Sequence, residues 1–120
     1  MQEKLDFERF ADDVDVGLAA VLPSELPGPI EESKWIYVPE QLFARLLSIG
    51  TGYRMHFSSF IDTVVDTILN SQQCASFKEE ICFLGAIVDD EALRRTIRLF
   101  VSQIELIERE PRRVLVISPP

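Results

Sequence analysis

Three prolines partition this chain more firmly than any other feature, because proline lacks the backbone N–H that a helix interior requires. Pro23 closes a first segment, Pro39 opens a second, and Pro111 stops the last long one. Before Pro23, the apolar residues Phe7, Phe10, Val14, Leu18 and Val21 recur at helical spacing and predict a helix over Leu5 to Leu22. Pro23 to Pro29 holds three prolines and one glycine in seven residues, and it reads as a loop continuing to residue 33. Trp35 to Val38 is β-rich and too short to be a helix before Pro39, which predicts a short strand.

Pro39 suits the first turn of a helix that carries Leu42, Phe43, Leu46 and Leu47 and ends at Gly50-Thr51-Gly52. Phe57, Phe60, Ile61, Val64, Val65, Ile68 and Leu69 then form an unbroken stripe at helical spacing. It predicts a long amphipathic helix, broken at Asn70-Ser71-Gln72-Gln73. Ala75 to Val88 is apolar on most sides and predicts a central helix. Asp89 or Asp90 stands where it can cap the last long helix, whose inner face is Leu93, Ile97, Phe100, Ile104 and Ile107. Val114 to Ile117 predicts a second short strand pairing with Trp35 to Val38, since a lone strand leaves its backbone groups unsatisfied. Leu99 and Leu106 fall opposite that inner face and read either as covered by the C-terminal strand or as a second contact seam.

The expected fold is mainly α: one compact domain over residues 1–120, built from four to five helices with at most a two-stranded ribbon at one edge. An acidic N-terminal helix (1–22), a Pro/Gly loop (23–33) and a helical core (34–120) compose it. A chain of 120 residues is long enough to build a single hydrophobic core.

Charge narrows the classes of function. Twenty acidic against 12 basic side chains leave a net charge of −8, which disfavours nucleic acid as a partner. Arg94, Arg95 and Arg98 share a helix face. Glu91 and Glu105 stand four residues before Arg95 and Arg109, in the orientation that pairs and neutralises such a face. The start of the chain carries carboxylates where an export signal needs basic and then apolar residues. The longest apolar block, Ile81 to Val88, is too short to cross a bilayer. The expectation is therefore a cytoplasmic chain with no membrane partner, in which Cys74 and Cys82 are buried and reduced.

Chemistry-bearing clusters are sparse. His56 is the single histidine, and the cysteines stand eight apart, so no familiar zinc spacing exists. Asp62 and Asp66 lie one turn apart on the expected helix but face solvent, and a third acid is missing nearby. Asp89-Asp90-Glu91 is accounted for by a helix start. Gly50-Thr51-Gly52 lacks the third glycine and the lysine of a phosphate loop. No catalytic residue, metal site or cofactor is expected, and the chain reads as a non-enzyme, with a carboxylate-dependent metal enzyme as a distant third reading.

The acidic beginning is less easily explained by structure alone. Residues 1–32 hold nine acids against two bases. Glu8, Asp12 and Asp15 share one stripe of the expected helix with Asp13 beside them, although like charges at this spacing weaken a helix. This points to a partner-binding surface made of Glu8, Asp12, Asp13 and Asp15, extended by Glu31 and Glu32 and anchored by the aromatics Trp35 and Tyr37. The matching partner is a basic protein such as a toxin domain with nuclease activity, captured by electrostatic steering. In size and acidity, through no motif, the chain resembles bacterial toxin-immunity proteins, including those of contact-dependent inhibition systems. That resemblance implies an inhibitor that works by binding. The alternative is a chaperone or adaptor for a secreted or regulatory protein, acting as a homodimer through the Leu99 and Leu106 seam.

Overall fold

The computed structural model describes residues 15–26 and 28–120. Strand β1 (Asp15–Val21) leads through two single 3-10 turns (Pro23–Glu25 and Glu32–Lys34) into β2 (Trp35–Pro39). Helices α1 (Glu40–Gly52) and α2 (His56–Phe60) follow, then β3 (Thr67–Leu69), α3 (Ser71–Ile87), α4 (Glu91–Arg109) and β4 (Val114–Ser118). The strands form one antiparallel sheet in the order β2-β1-β4-β3, with the helices packed on one face. The architecture is α+β, not mainly α.

The correction begins at β1. The helix expected over Leu5 to Leu22 is a strand from Asp15 to Val21, and its earlier residues lie outside the described ones. Six of the seven β1 residues are buried, because this strand sits inside the sheet and is covered on both faces. Burial on both faces replaces strand alternation with a nearly continuous apolar run, so Leu18 and Val21 match a helical period by coincidence. Ala19 faces Trp35 on one side and Val116 on the other. The ribbon expected between Trp35–Val38 and Val114–Ile117 therefore has β1 inserted through its middle.

The stripe from Phe57 to Leu69 is the second correction. Only His56–Phe60 is helical, and Thr67–Leu69 leaves to form the sheet edge beside β4. Local hydrogen bonds explain the break. The Ser58 and Ser59 hydroxyls donate to the Met55 and His56 carbonyls at 3.1 and 3.0 Å. Asp62 Oδ1 accepts from the Val64 and Val65 N–H groups at 2.6 and 3.1 Å, closing a turn that competes with the helix ladder. Thr63, Val64, Val65, Thr67 and Ile68 are β-branched and lose side-chain freedom in a helix. Val64 ends up 80% exposed instead of buried. Asp62 and Asp66 share no helix face, and Asp66 Oδ1 instead accepts the Ser118 hydroxyl at 2.9 Å.

The remaining helices follow their caps. Met55 N–H reaches the Gly50 carbonyl at 2.9 Å and Arg54 N–H the Thr51 carbonyl at 3.0 Å, the paired bonds of a left-handed helix ending. Arg54 takes the positive-φ position (φ 58°) that glycine normally fills. Gly50 has a separate role, because a Cβ there would stand 2.7 Å from the Phe57 ring. Asn70 and Gln73 exchange side-chain and backbone hydrogen bonds, both 2.9 Å, so the expected helix break is the capping box that starts α3. Asp90 Oδ1 caps α4 through the Leu93 N–H at 3.0 Å, and its other oxygen meets Arg45 at 3.1 Å.

Leu93, Ile97, Phe100, Ile104 and Ile107 bury the inner face of α4 against the sheet-side core. Leu99 and Leu106 pack, partly buried, on that same core. Gln103, 2% exposed, donates from Nε2 to the Leu18 carbonyl at 2.9 Å and ties α4 to the middle of the sheet. Cys74 is buried, and desolvation pushes its thiol up to about 12, whereas Cys82 is exposed, contrary to expectation. Among the described residues, no helix is long and apolar enough to cross a membrane.

Candidate functional site on the outer sheet face

Strand alternation sends Gly17, Ala19, Val21, Trp35, Tyr37, Val116 and Ser118 away from the helices, together with Ile68 opposite Val116. The β1–β2 loop roofs part of this outer face. Its Leu26 and Ile30 pack with Trp35 and Val114 on Ala19, Val21 and Val116. Glu25 pins the loop: its carboxylate accepts the Leu22 N–H at 2.7 Å and also pairs with Lys34. The Lys34 hydrogen bond, followed by that of Leu22, holds the Glu25 carboxyl below the usual carboxylate range.

Beyond the loop, no described helix covers the face. The Trp35 and Tyr37 rings stack with centroids 6.2 Å apart and planes 25° apart. They converge over Gly17, where a Cβ would lie 2.8 Å from Trp35 Cε3 and 3.4 Å from Tyr37 Cε1. Glycine is thus what lets the indole lie flat against β1. Tyr37 is 43% exposed, and its hydroxyl donates to Glu32 Oε1 at 3.3 Å. Desolvation, then the Glu32 carboxylate, then Asp15, push the Tyr37 phenol above its ordinary value.

Trp35 forms a ridge between concavities. On one side Asp15, Gly17, Tyr37, Ser118 and Pro119 complete a hollow of about 250 Å³. On the other, Leu26, Ile30, Ile68 and Val116 wall a hollow of about 340 Å³ with Asp66 at its margin. The charged residues lining both are acids, Asp15 and Asp66.

Of the partner-binding residues expected from the sequence, Asp15, Trp35 and Tyr37 come together here, and Glu32 joins them through the Tyr37 hydroxyl. They do so on a sheet, not on a helix surface. Glu31 sits exposed before the second 3-10 turn and lines neither hollow. Glu8, Asp12 and Asp13 lie outside the described residues. Gly17, Ile68 and Ser118 were not foreseen. Recognising β1 as a strand would have put Gly17 on the same face as Ala19, and the observed register sets it opposite Tyr37.

Other polar clusters are occupied structurally. Glu80 on α3 accepts the backbone N–H groups of His56 and Phe57 at 2.8 and 3.0 Å, capping α2 from a neighbouring element. Arg94 meets Glu91 at 2.9 Å and the Val88 carbonyl at 3.0 Å. Among the described residues, no group of three His, Cys, Asp or Glu side chains could hold a metal ion. Compared with protein-family models, curated proteins and solved structures, the chain gives no match.

Proposed function

We propose that this chain is a binding protein that captures a basic protein partner on its outer sheet face and inhibits it, as an immunity protein does its toxin. The observation carrying this reading is the convergence of Asp15, Trp35 and Tyr37, with Glu32 beside them, on a sheet face that the described helices leave uncovered. Partly exposed aromatic side chains on a rigid sheet supply contact area at little entropic cost, and aromatic anchors dominate many interfaces. The surrounding carboxylates and the net charge of −8 favour encounter with a cationic surface.

The test is co-expression with a basic protein encoded beside this one. Growth arrested by that neighbour should be rescued by the native chain and not by the Trp35→Ala/Tyr37→Ala double variant. Association between the purified proteins should slow as ionic strength rises, because exposed charges are screened over about 8–10 Å at physiological salt. Rescue that survives loss of both rings, or an association rate indifferent to salt, overturns the proposal.

A further inference from the structure

We infer that the outer face recognises a paired signal in one extended segment of its partner: an arginine side chain in the Asp15–Tyr37 hollow and an aliphatic side chain in the Ile30–Ile68 hollow, astride Trp35. This rests on the proposed function and specifies the chemistry of the partner. The two hollows differ in kind. The first is lined by the half-exposed Tyr37 ring and the Asp15 carboxylate, and Glu32 stands beside it, accepting the phenol hydrogen bond. A planar guanidinium suits such a site, because it stacks on an aromatic face while donating to carboxylates. The second is floored and walled by Val116, Ile68, Leu26 and Ile30, and Ile68 is 50% exposed there. An aliphatic side chain would cover that exposed isoleucine.

Spacing supports a single extended segment. Tyr37, Gly17 and Ser118 form one cross-strand row, and Trp35, Ala19, Val116 and Ile68 form the row two residues along. Those rows are separated along the strands by roughly 6.7 Å, the interval at which an extended chain repeats side chains on one side, and the offset across the strands toward Ile68 falls to the reach of the bound side chains. Charge favours a different occupant over the nearer ones. Residues 1–14 carry five acids against two bases, and a second copy carries a net charge of −8, so both would bring like charge to an acid-rimmed face. A cationic segment of a different protein is complementary to it.

The experiment is an amide NMR titration of the full chain with three capped peptides: one presenting Arg-Thr-Leu, one Glu-Thr-Leu and one Arg-Thr-Gly. The Arg-Thr-Leu peptide should shift the signals of Gly17, Tyr37, Val116 and Ile68 and the Trp35 indole. Exchanging arginine for glutamate should remove the response. Exchanging leucine for glycine should weaken binding by about three- to tenfold and silence Ile68 selectively. The Asp15→Asn/Glu32→Gln variant, altered only at exposed positions, should bind Arg-Thr-Leu about three- to tenfold more weakly while keeping the native spectrum elsewhere. Equal binding of the glutamate peptide, or shifts that avoid Tyr37 and Ile68, overturns the inference. If those failures accompany rescue that still depends on Trp35 and Tyr37, the inhibitor reading stands and only this recognition mode falls. Peptide selectivity without rescue has the opposite meaning.

Discussion

The two faces of the sheet share the same strands and have been put to different uses. On the inner face Leu18, Leu69, Leu115 and Ile117 pack against Phe43, Phe57, Phe100 and Ile104 in one continuous core. On the outer face a cluster centred on Ala19, Val21 and Val116 is roofed by a loop, and Trp35, Tyr37 and Ile68 remain partly or largely accessible. Side-chain size over Val16 to Ala19 of β1 follows this division. Val16, Leu18 and Ala20 point inward, whereas Gly17 and Ala19 point outward and make room for aromatic rings from β2. The inner face carries stability; the outer face spends small residues to display large ones.

The largest effect separates these roles directly. Phe100 is fully buried and stacks on Phe43 with centroids 5.9 Å apart. Phe100→Ala should cost about 3–5 kcal/mol in urea unfolding, the range for emptying an aromatic site in a core. Trp35→Ala should cost about 1–3 kcal/mol, since the indole is only partly buried, yet remove partner binding. Equal losses of stability at the two positions would erase the distinction between the faces.

Gly17 tests the outer face from beneath. Gly17→Ala places a Cβ 2.8 Å from Trp35 Cε3, and the indole is the group with space to yield. Strain from overpacking at this level should cost about 1–2 kcal/mol. Because Trp35 is the single tryptophan, its fluorescence should move toward longer wavelength in the folded variant. An unchanged spectrum would mean that the ring does not depend on glycine for its seat.

That same strand shows what could and could not be read from residue order. α1 and α4 were legible because each has a cap or proline at its boundary and an apolar face of helical period, and β2 and β4 because each is a short β-rich run ended by proline. β1 was hidden by burial on both faces, which removes the alternation that marks a strand. The Phe57 to Leu69 stripe failed for a different reason: Ser58, Ser59 and Asp62 bond to nearby backbone, and the β-branched run beyond them favours extended structure. The site was half legible. Trp35, Tyr37, Glu32 and Asp15 were recognised by type, but their proximity is a product of the β1–β2 register, which no local pattern encodes.

The helical layer also contains one joint that its sequence leaves unoptimised. Arg54 sits at φ 58° where the α1 ending calls for glycine. Arg54→Gly should raise stability by about 0.5–1 kcal/mol, the relief of left-handed strain exceeding the added freedom of the unfolded chain. Partner binding should be untouched, since this joint lies in the helical layer between α1 and α2. A gain in stability accompanied by weaker binding would show that the two layers are coupled.

The smallest effect belongs to the outer loop and depends on pH. Glu25 joins Leu22 to Lys34 and thereby holds Leu26 and Ile30 over the sheet. Its carboxyl is lowered from 4.5 in the folded chain, first by Lys34 and then by the Leu22 N–H. A depressed folded value means that ionised Glu25 favours the closed loop at every pH above 4.5 and loses that contribution as pH falls through the lower folded value. Acidification should therefore alter Trp35 fluorescence with a midpoint below 4.5, while far-ultraviolet circular dichroism still reports intact helices. Glu25→Gln should abolish the fluorescence step at that pH and leave the rest of the acid response in place, including the part due to Glu110, whose carboxyl is lowered by Arg113 and Arg112. Were helix and tryptophan signals lost together at one pH, the loop would be an inseparable part of the core and the two faces a single cooperative unit.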